Sequence, residues 1–302
     1  MPRKKKSEEL YTGVAVIENF TAMNEFHKKG KYPLDKIEEE LYPNQCVVLK
    51  CGSQQSALAC VEGGYLVKIR EDHLKLFNIN PKNKEQKFAF HLLKKADLDL
   101  IIVTGCAGSG KTLGALAHAM DQLKKGKKNK LVLAKSLASV GKEIGFLKGS
   151  MMDKVAPWMG AFYDNFEVLE IPDYELQIST AENKIDETYN IDAKFDNKPK
   201  YNIEISPITF IQGRSISNAI IIIDEVQNLP SNVVKQILTR PAENCQIILL
   251  GDLEQIFEKG LDKDDNGLYT AIMAARESEF IGSIHMIKSE RSRLAQWAAN
   301  EL

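Results

Sequence analysis

The chain has few cysteines, and they form no metal-binding pattern. Among 302 residues there are five, at positions 46, 51, 60, 106 and 245, with no CxxC pair and no histidine partner at metal-ligand spacing. An odd number of scattered cysteines is typical of free thiols in a reducing compartment. The set therefore argues against a disulfide framework.

Long apolar segments are absent as well. No stretch approaches the length needed to span a bilayer, and the N-terminal residues 1–9 lack the apolar segment of a secretory signal peptide. No internal repeat is apparent in the sequence. Together with the cysteine usage, these absences predict a cytoplasmic protein that has no membrane partner.

Neither sign of charge is in excess. Lysine and arginine together number 40, and aspartate and glutamate number 41, which gives a net charge of −1. This balance excludes a general attraction to nucleic acid or to membranes, so any polyanion site must be local. Two basic clusters, residues 3–6 and 124–130, fit solvated tails or turns, and the second also fits a track for nucleic-acid phosphates.

The rest of the composition is that of an ordinary globular protein, with 44% hydrophobic and 27% charged residues. A change in character near Pro81 predicts a small α+β module over residues 1–80. Within it we expect a helix over residues 19–29 and strands over residues 45–50 and 64–69. This module carries no evident chemistry.

The remaining part of the chain, residues 81–302, alternates short apolar runs with helical patterns. Nearly continuous apolar runs are expected for strands of a parallel sheet that is covered on both faces. The alternation therefore predicts an α/β domain with a doubly wound, mainly parallel sheet. The predicted strands cover residues 100–104, 131–135, 203–210, 219–224, 246–250 and 283–287.

The most informative motif follows the first of these strands. Residues 105–112 match the pattern GxxxxGK[ST] between that strand and a helix-forming segment. Glycines let backbone N–H groups surround phosphates, and the helix adds its positive end. We expect Lys111 to reach the β- and γ-phosphates of ATP and the Thr112 hydroxyl to ligate Mg²⁺; the alternative is a plain glycine turn. The predicted nucleotide-binding residues here are Gly105, Ala107, Gly108, Ser109, Gly110, Lys111 and Thr112.

Polar side chains also follow two later strands. The strand over residues 219–224 ends in Asp224 and Glu225, which places two carboxylates at the sheet edge where α/β proteins bind ligands. We expect Asp224 to hold the metal and Glu225 to deprotonate the attacking water; the alternative is a strand end with exposed acids. Gln255, after the next strand, has an amide suited to sensing the γ-phosphate.

These strand ends, with the motif over residues 224–228, resemble the PhoH family over roughly residues 80–302. PhoH proteins are P-loop ATPases whose core is similar to the first RecA-like domain of superfamily 1 helicases. The resemblance is closest to longer members in which a PIN ribonuclease domain precedes the ATPase. The module over residues 1–80 is too small for a PIN fold, so we expect no nuclease activity. Further matching stretches are residues 84–86, 141–149, 154–159, 212–218, 238–240 and 289–292.

The resemblance implies roles for residues outside the loop. Gln86 matches a glutamine that recognises adenine in helicase-like ATPases, whereas the residue alone would fit a surface amide at a helix start. Arg214 matches the second arginine of the family's RGR[ST] stretch, whose first position is glutamine here. Arg291 and Arg293 follow the last strand, where a guanidinium can stabilise the transferring phosphoryl group. Lys135 stands where the family usually has arginine.

One RecA-like core is an incomplete motor, and the surplus of motif arginines predicts that a neighbouring subunit completes the site. We therefore expect a ring, most plausibly a hexamer. The function predicted is ATP-dependent action on single-stranded nucleic acid, RNA in preference to DNA. The alternatives are a regulatory ATPase that acts on a protein partner and, less consistent with Glu225 and Gln255, a small-molecule kinase.

Overall fold

The computed structural model describes residues 9–52, 55–136, 151–180, 199–290, 293–294 and 297. These residues contain a five-stranded sheet near the N-terminus and a seven-stranded sheet in the rest of the chain. No helix among them combines the length and the apolar character required to cross a bilayer.

The N-terminal sheet is mostly antiparallel and carries one helix on its face. Its strands are ordered β1-β3-β4-β5-β2, and β1 alone pairs in parallel, with β3. The predicted helix and the two predicted strands, β3 and β5, are confirmed, whereas β1, β2 and β4 were not predicted. The elements are β1 (Val14–Glu18), α1 (Phe20–Lys29), β2 (Lys31–Pro33), β3 (Cys46–Cys51), β4 (Gln55–Glu62) and β5 (Tyr65–Lys68).

The second sheet is parallel throughout, in the order β12-β6-β11-β10-β7-β9-β8. Its strands are β6 (Leu100–Gly105), β7 (Lys130–Lys135), β8 (Leu176–Thr180), β9 (Tyr201–Ile205), β10 (Ala219–Asp224), β11 (Gln246–Gly251) and β12 (Ile281–Met286). The helices of this region are α2 (Lys84–Lys94), α3 (Lys111–Lys124), α4 (Met151–Val168), α5 (Ile208–Ile211), α6 (Ser231–Leu238) and α7 (Gly267–Ala275).

Both faces of the parallel sheet are buried, as its sequence predicts. Along β10, Ile220 and Ile222 join the core on the side of α2 and α3, while Ile221 and Ile223 join the core beneath α6 and α7. Alternate side chains of a strand point to opposite faces, so a continuous apolar run fills two cores. The predicted architecture is confirmed: a doubly wound, parallel α/β sheet with a small N-terminal module.

One predicted strand is only half right. The strand expected over residues 203–210 ends at Ile205, and the chain enters the short helix α5 at Ile208. Pro207 precedes this helix with extended backbone, and proline cannot donate to a strand ladder. The edge strand β8 was missed.

The two sheets pack together in the core on the side of α2 and α3. Cys46 and Cys60 of the N-terminal sheet pack in the same cluster as Phe88 and Leu92 of α2. A second junction lies at β12, where the His285 N–H donates to Thr12 O over 2.9 Å. The boundary that we predict near Pro81 therefore crosses a continuous packing surface.

Candidate nucleotide-binding site

The sheet order brings the predicted motifs to one edge. Strand β6, which leads into the loop over residues 105–112, is separated from the acidic strand β10 only by β11. All three run in parallel, so their carboxyl ends lie side by side. Ligands of open α/β sheets bind outside such carboxyl ends.

Glycine is required at two positions in this loop. Gly105 has a φ of 140°, and a Cβ there would lie 2.0 Å from Met286 O on the neighbouring strand β12. Gly110 has a φ of 92° and immediately precedes α3. The 14-residue helix α3 thus begins at Lys111 with unpaired N–H groups facing the loop, an arrangement that attracts anions.

Lys111 lies inside the loop and is surrounded by carboxylates. Its Nζ donates to Gly105 O at 2.6 Å and to Cys106 O at 2.9 Å. Burial lowers the pKa of Lys111, while Asp252 and Asp224 act in the opposite direction. The ammonium group is therefore held at the point where the loop and the acidic strand ends converge.

Gln86, on α2, makes a hydrogen bond to the loop. Its Nε2 donates to Ser109 O over 2.9 Å, and its Oε1 accepts from the Lys82 N–H over 2.8 Å. The residue is buried, so it is not a plain surface amide. The adenine contact that the family resemblance implies for Gln86 stays a prediction.

The loop has two features that fit a phosphate group. The Ser109 hydroxyl is buried and has no hydrogen-bond partner among the residues that the structure describes. At the next residue, a Cβ added at Gly110 would lie 3.0 Å from Gln86 Nε2, so the loop backbone approaches α2 closely there. An unsatisfied hydroxyl and N–H groups at a helix start are the donors that phosphate oxygens accept from.

The two predicted acidic residues end β10. The pKa of Asp224 is raised above its ordinary value by desolvation, with a smaller opposing effect of Lys135. Asp224 Oδ1 accepts from the Glu225 N–H over 3.0 Å. Glu225 has a φ of 59° and a ψ of 38°, the left-handed region that non-glycine residues rarely adopt. Such backbone strain is typical of functional positions.

A buried glutamine that we did not single out connects this site. Gln227 Nε2 donates to Glu225 Oε2 at 2.6 Å and to Gln255 O at 2.9 Å. Its Oε1 accepts from the Asp252 N–H at 3.1 Å. A lysine holds the other carboxylate oxygen, since Lys135 Nζ lies 3.6 Å from Glu225 Oε1. The only sequence signal for Gln227 was its place in the acidic motif.

Gln255 is brought to the site by its backbone. Its N–H donates to Asp252 O over 3.0 Å, which forms a tight turn at the end of β11, and its carbonyl is held by Gln227. The γ-phosphate contact expected of its side chain stays a prediction.

The three predicted arginines differ in placement. Arg214 forms a two-pronged ion pair with Glu204, in which Nη2 and Oε2 are 3.1 Å apart. Burial acts to raise the pKa of Glu204, but Arg214 and Lys130 keep it below its ordinary value. In the described part of the chain, Arg214 makes no hydrogen bond to the loop. Arg293 is exposed, and Arg291 lies outside the described residues.

The segment that leads to these last two arginines lies against the loop. The Glu290 N–H donates to Gly108 O over 2.9 Å, and the Ser289 hydroxyl donates to Ala107 O over 3.2 Å. Glu85, the residue before Gln86, accepts from the N–H groups at 287 and 288. No pattern in the sequence predicts these contacts.

Comparison with known proteins finds similarity to one family. The family described as "PhoH-like protein" matches residues 78–301. The chain is 35% identical to Protein PhoH2 of Bacillus subtilis over 98% of this chain and 65% of that protein. It is 25% identical to Protein PhoH2 of Mycolicibacterium smegmatis over 96% of this chain and 64% of that protein. The chain thus spans less than two thirds of the length of either relative.

Similarity to solved structures is weak. The Sulfolobus solfataricus SWI2/SNF2 ATPase core in complex with dsDNA aligns with 72% of this chain and 47% of that chain. The sequence identity is 13% and the TM-score 0.39, a level that bears on neither substrate nor partner.

Proposed function

The chain belongs to the PhoH family, and on this premise we propose that it binds ATP with Mg²⁺ and hydrolyses the ATP to ADP and phosphate. The observation that carries the proposal is the convergence of Lys111, Asp224 and Glu225 at one sheet edge. The contact of Gln227 with Glu225 supports it, because a catalytic base must be oriented.

The residues present suit both ligands. Phosphate oxygens would accept hydrogen bonds from the loop, from the Ser109 hydroxyl and from Lys111. Oxygen ligands from Thr112 and Asp224 match the preference of Mg²⁺. When bound, Mg²⁺ supplies positive charge that neutralises the phosphate oxygens.

The chain's own groups then serve the reaction with water. Glu225 accepts a proton from the water whose oxygen bonds to the γ-phosphorus, and the bond from phosphorus to the β–γ bridging oxygen breaks. Lys111 stabilises the negative charge that develops on the phosphates. We assign Gln255 to the orientation of water and γ-phosphate, and we assign Arg291 or Arg293 to charge stabilisation.

Two substitutions test hydrolysis. Glu225→Gln is expected to keep nucleotide binding and to lower kcat by about 10²- to 10⁴-fold, the usual contribution of a general base. Lys111→Ala is expected to weaken ATP binding as well. Glu243→Gln replaces an exposed carboxylate and serves as the matched control. Full turnover by Glu225→Gln would contradict the proposed role.

We further propose that hydrolysis is coupled to single-stranded nucleic acid, with RNA preferred to DNA. The family resemblance supports this proposal. The basic cluster over residues 124–130 gives it little support, because few of its lysines are free to bind nucleic-acid phosphates. Most of its lysines have partners within the chain: the Phe77 ring for Lys124, Asp121 for Lys125, Asn244 for Lys128 and Glu204 for Lys130.

ATPase assays with and without single-stranded RNA and DNA test the coupling. Stimulation by RNA above that by DNA is the expected result. Indifference to both would favour the alternative, a regulatory ATPase that acts on a protein partner.

Assembly is the last part of the proposal. We propose a ring, most plausibly a hexamer, of subunits that each comprise residues 1–80 and 81–302. Sedimentation should show an assembly larger than a monomer. Mixing Arg291→Ala with Lys111→Ala subunits should restore some turnover; a monomer that hydrolyses ATP at the full rate would overturn the ring.

A further inference from the structure

Four side chains that are far apart in sequence meet where the N-terminal sheet packs against α2. Cys46 on β3 and Cys60 on β4 are directly opposite each other in the antiparallel pair. Glu62 lies two residues after Cys60 and so on the same face of β4. His91 approaches from α2. One ligand atom from each of Cys60, Glu62 and His91 falls within 4.8 Å of the other two.

Cys46 lies beside this three-residue group, opposite Cys60 in the strand pair. The Cys46 N–H donates to Gly13 O on the far side of β3, so the two cysteines form a closely spaced, non-hydrogen-bonded pair across the strands. Such pairs have Cα atoms about 4.5 Å apart. The Cys60 thiol lies within 4.8 Å of a His91 ring nitrogen, and His91 Nε2 lies 3.1 Å from Glu62 Oε1.

We propose that Cys46, Cys60, Glu62 and His91 bind a divalent ion of the Zn²⁺ class. Thiolate, imidazole and carboxylate are all ligands that zinc takes, and zinc is almost always four-coordinate in structural sites. Mg²⁺ prefers oxygen ligands only, so the site is chemically distinct from the nucleotide site. Binding requires both cysteines as thiolates and His91 as a neutral imidazole, so every proton that these three side chains carry is released to solvent.

The surrounding charge suits the bound ion. Two thiolates and one carboxylate around a divalent cation leave a net charge of −1, which a buried site must balance. Lys95 supplies the balance, since its Nζ lies 3.2 Å from Glu62 Oε1 and donates to Asn44 Oδ1 over 2.8 Å. Both cysteines are fully buried, so the thiols are shielded from competing ligands.

The position of the site gives the ion a structural task. Helix α2 carries His91 on one turn and, five residues earlier, Gln86, whose amide holds the loop at Ser109. An ion bound to His91 would fix α2 to the N-terminal sheet and so fix the support beneath the loop. The site does not depend on hydrolysis, and its test needs no ATP.

The experiment uses the full chain, reduced, stripped of metal and titrated with Co²⁺ and then Zn²⁺. We expect one equivalent of Co²⁺ to give the intense visible absorption of tetrahedral cobalt thiolate, and Zn²⁺ to abolish it. Cys60→Ser and His91→Gln should each weaken Co²⁺ binding at least about tenfold. Cys51→Ser, at the other end of β3, is the matched control and should bind like the unaltered chain.

Three results would overturn the proposal. One is a folded, reduced chain that gives no cobalt thiolate spectrum, a measurement that needs no variant to fold. The second is equal affinity in Cys60→Ser and the unaltered chain. The third is loss of binding in Cys51→Ser to the same extent as in Cys60→Ser, which would place the ion elsewhere.

Discussion

The amide of Gln227 donates to the carboxylate of Glu225 over 2.6 Å and thereby ties the proposed base to the end of the next strand. The same side chain holds the backbone at Asp252 and Gln255. Because the Gln227 side chain that makes all three bonds is buried, movement at one strand end is transmitted to the other. The positions of the proposed base, Glu225, and the proposed γ-phosphate sensor, Gln255, are therefore coupled through Gln227.

Removing the Gln227 amide should impair turnover more than binding. We expect Gln227→Ala to lower kcat about 10²-fold with little change in the KM for ATP, because a misplaced base affects the transition state alone. The lost buried bonds should also lower the free energy of unfolding by about 1–3 kcal/mol. Steady-state kinetics with Gln236→Ala, an exposed glutamine on α6, as control measure both effects. An unchanged kcat would show that Gln227 is not needed to orient Glu225.

The left-handed backbone at Glu225 makes a stability prediction. Glu225→Gly and Glu225→Ala remove the same carboxylate, but only glycine adopts a φ of 59° without strain. We expect Glu225→Gly to unfold with a free energy about 1 kcal/mol above that of Glu225→Ala. Denaturant titration of both variants measures the difference. An equal or lower value for the glycine variant would show that the site relaxes in the alanine variant.

Alanine substitutions at Gly105 and Gly126 distinguish the cost of backbone strain alone from the cost of strain together with steric overlap. Both have positive φ, but a Cβ at Gly126 meets nothing within 4 Å, whereas one at Gly105 would meet Met286 O at 2.0 Å. Gly126→Ala should cost about 1 kcal/mol of unfolding free energy. Gly105→Ala should cost more than about 4 kcal/mol, because β6 and β12 must separate. Similar losses in the two variants, measured by thermal or chemical unfolding, would refute the close approach.

His118 predicts a loss of stability in acid. It is buried on α3, its Nε2 lies 2.7 Å from Gln246 Oε1, and burial lowers its pKa to about 4. The unfolded chain, with a histidine pKa of about 6.5, binds the proton first as pH falls. Above pH 6.5 His118 is neutral in both states and costs the folded chain nothing. Between pH 6.5 and 4 the free energy of unfolding therefore falls, by up to about 3 kcal/mol.

The comparison that isolates this effect is His118→Gln. Its unfolding free energy should depend less on pH over that interval than that of the unaltered chain. His27, exposed on α1, is the control position, and His27→Gln should leave the slope unchanged. Parallel curves for the unaltered chain and His118→Gln would mean that His118 has the same pKa in the folded and unfolded states.

The loop and the acidic strand end were predictable because each depends on neighbours in the chain. GxxxxGK[ST] and the apolar run before Asp224 specify local backbone, and parallel strands bring their ends together. Strand β4 was missed because its alanines and cysteine have little intrinsic strand preference; its partners on both sides decide its conformation. The contact of Cys46 with Cys60 depends on strand register, which spacing in the sequence does not specify.

The backbone at residues 12 and 13 lies against β12, an outermost strand of the parallel sheet, so closely that a Cβ on Gly13 would be 1.8 Å from Ser283 O. Strand edges left open are templates for pairing with another chain. Shortening the N-terminus past Gly13 should therefore produce concentration-dependent self-association. We expect any loss of activity in the shortened chain to be caused by this self-association. Light scattering at two protein concentrations would measure the self-association directly.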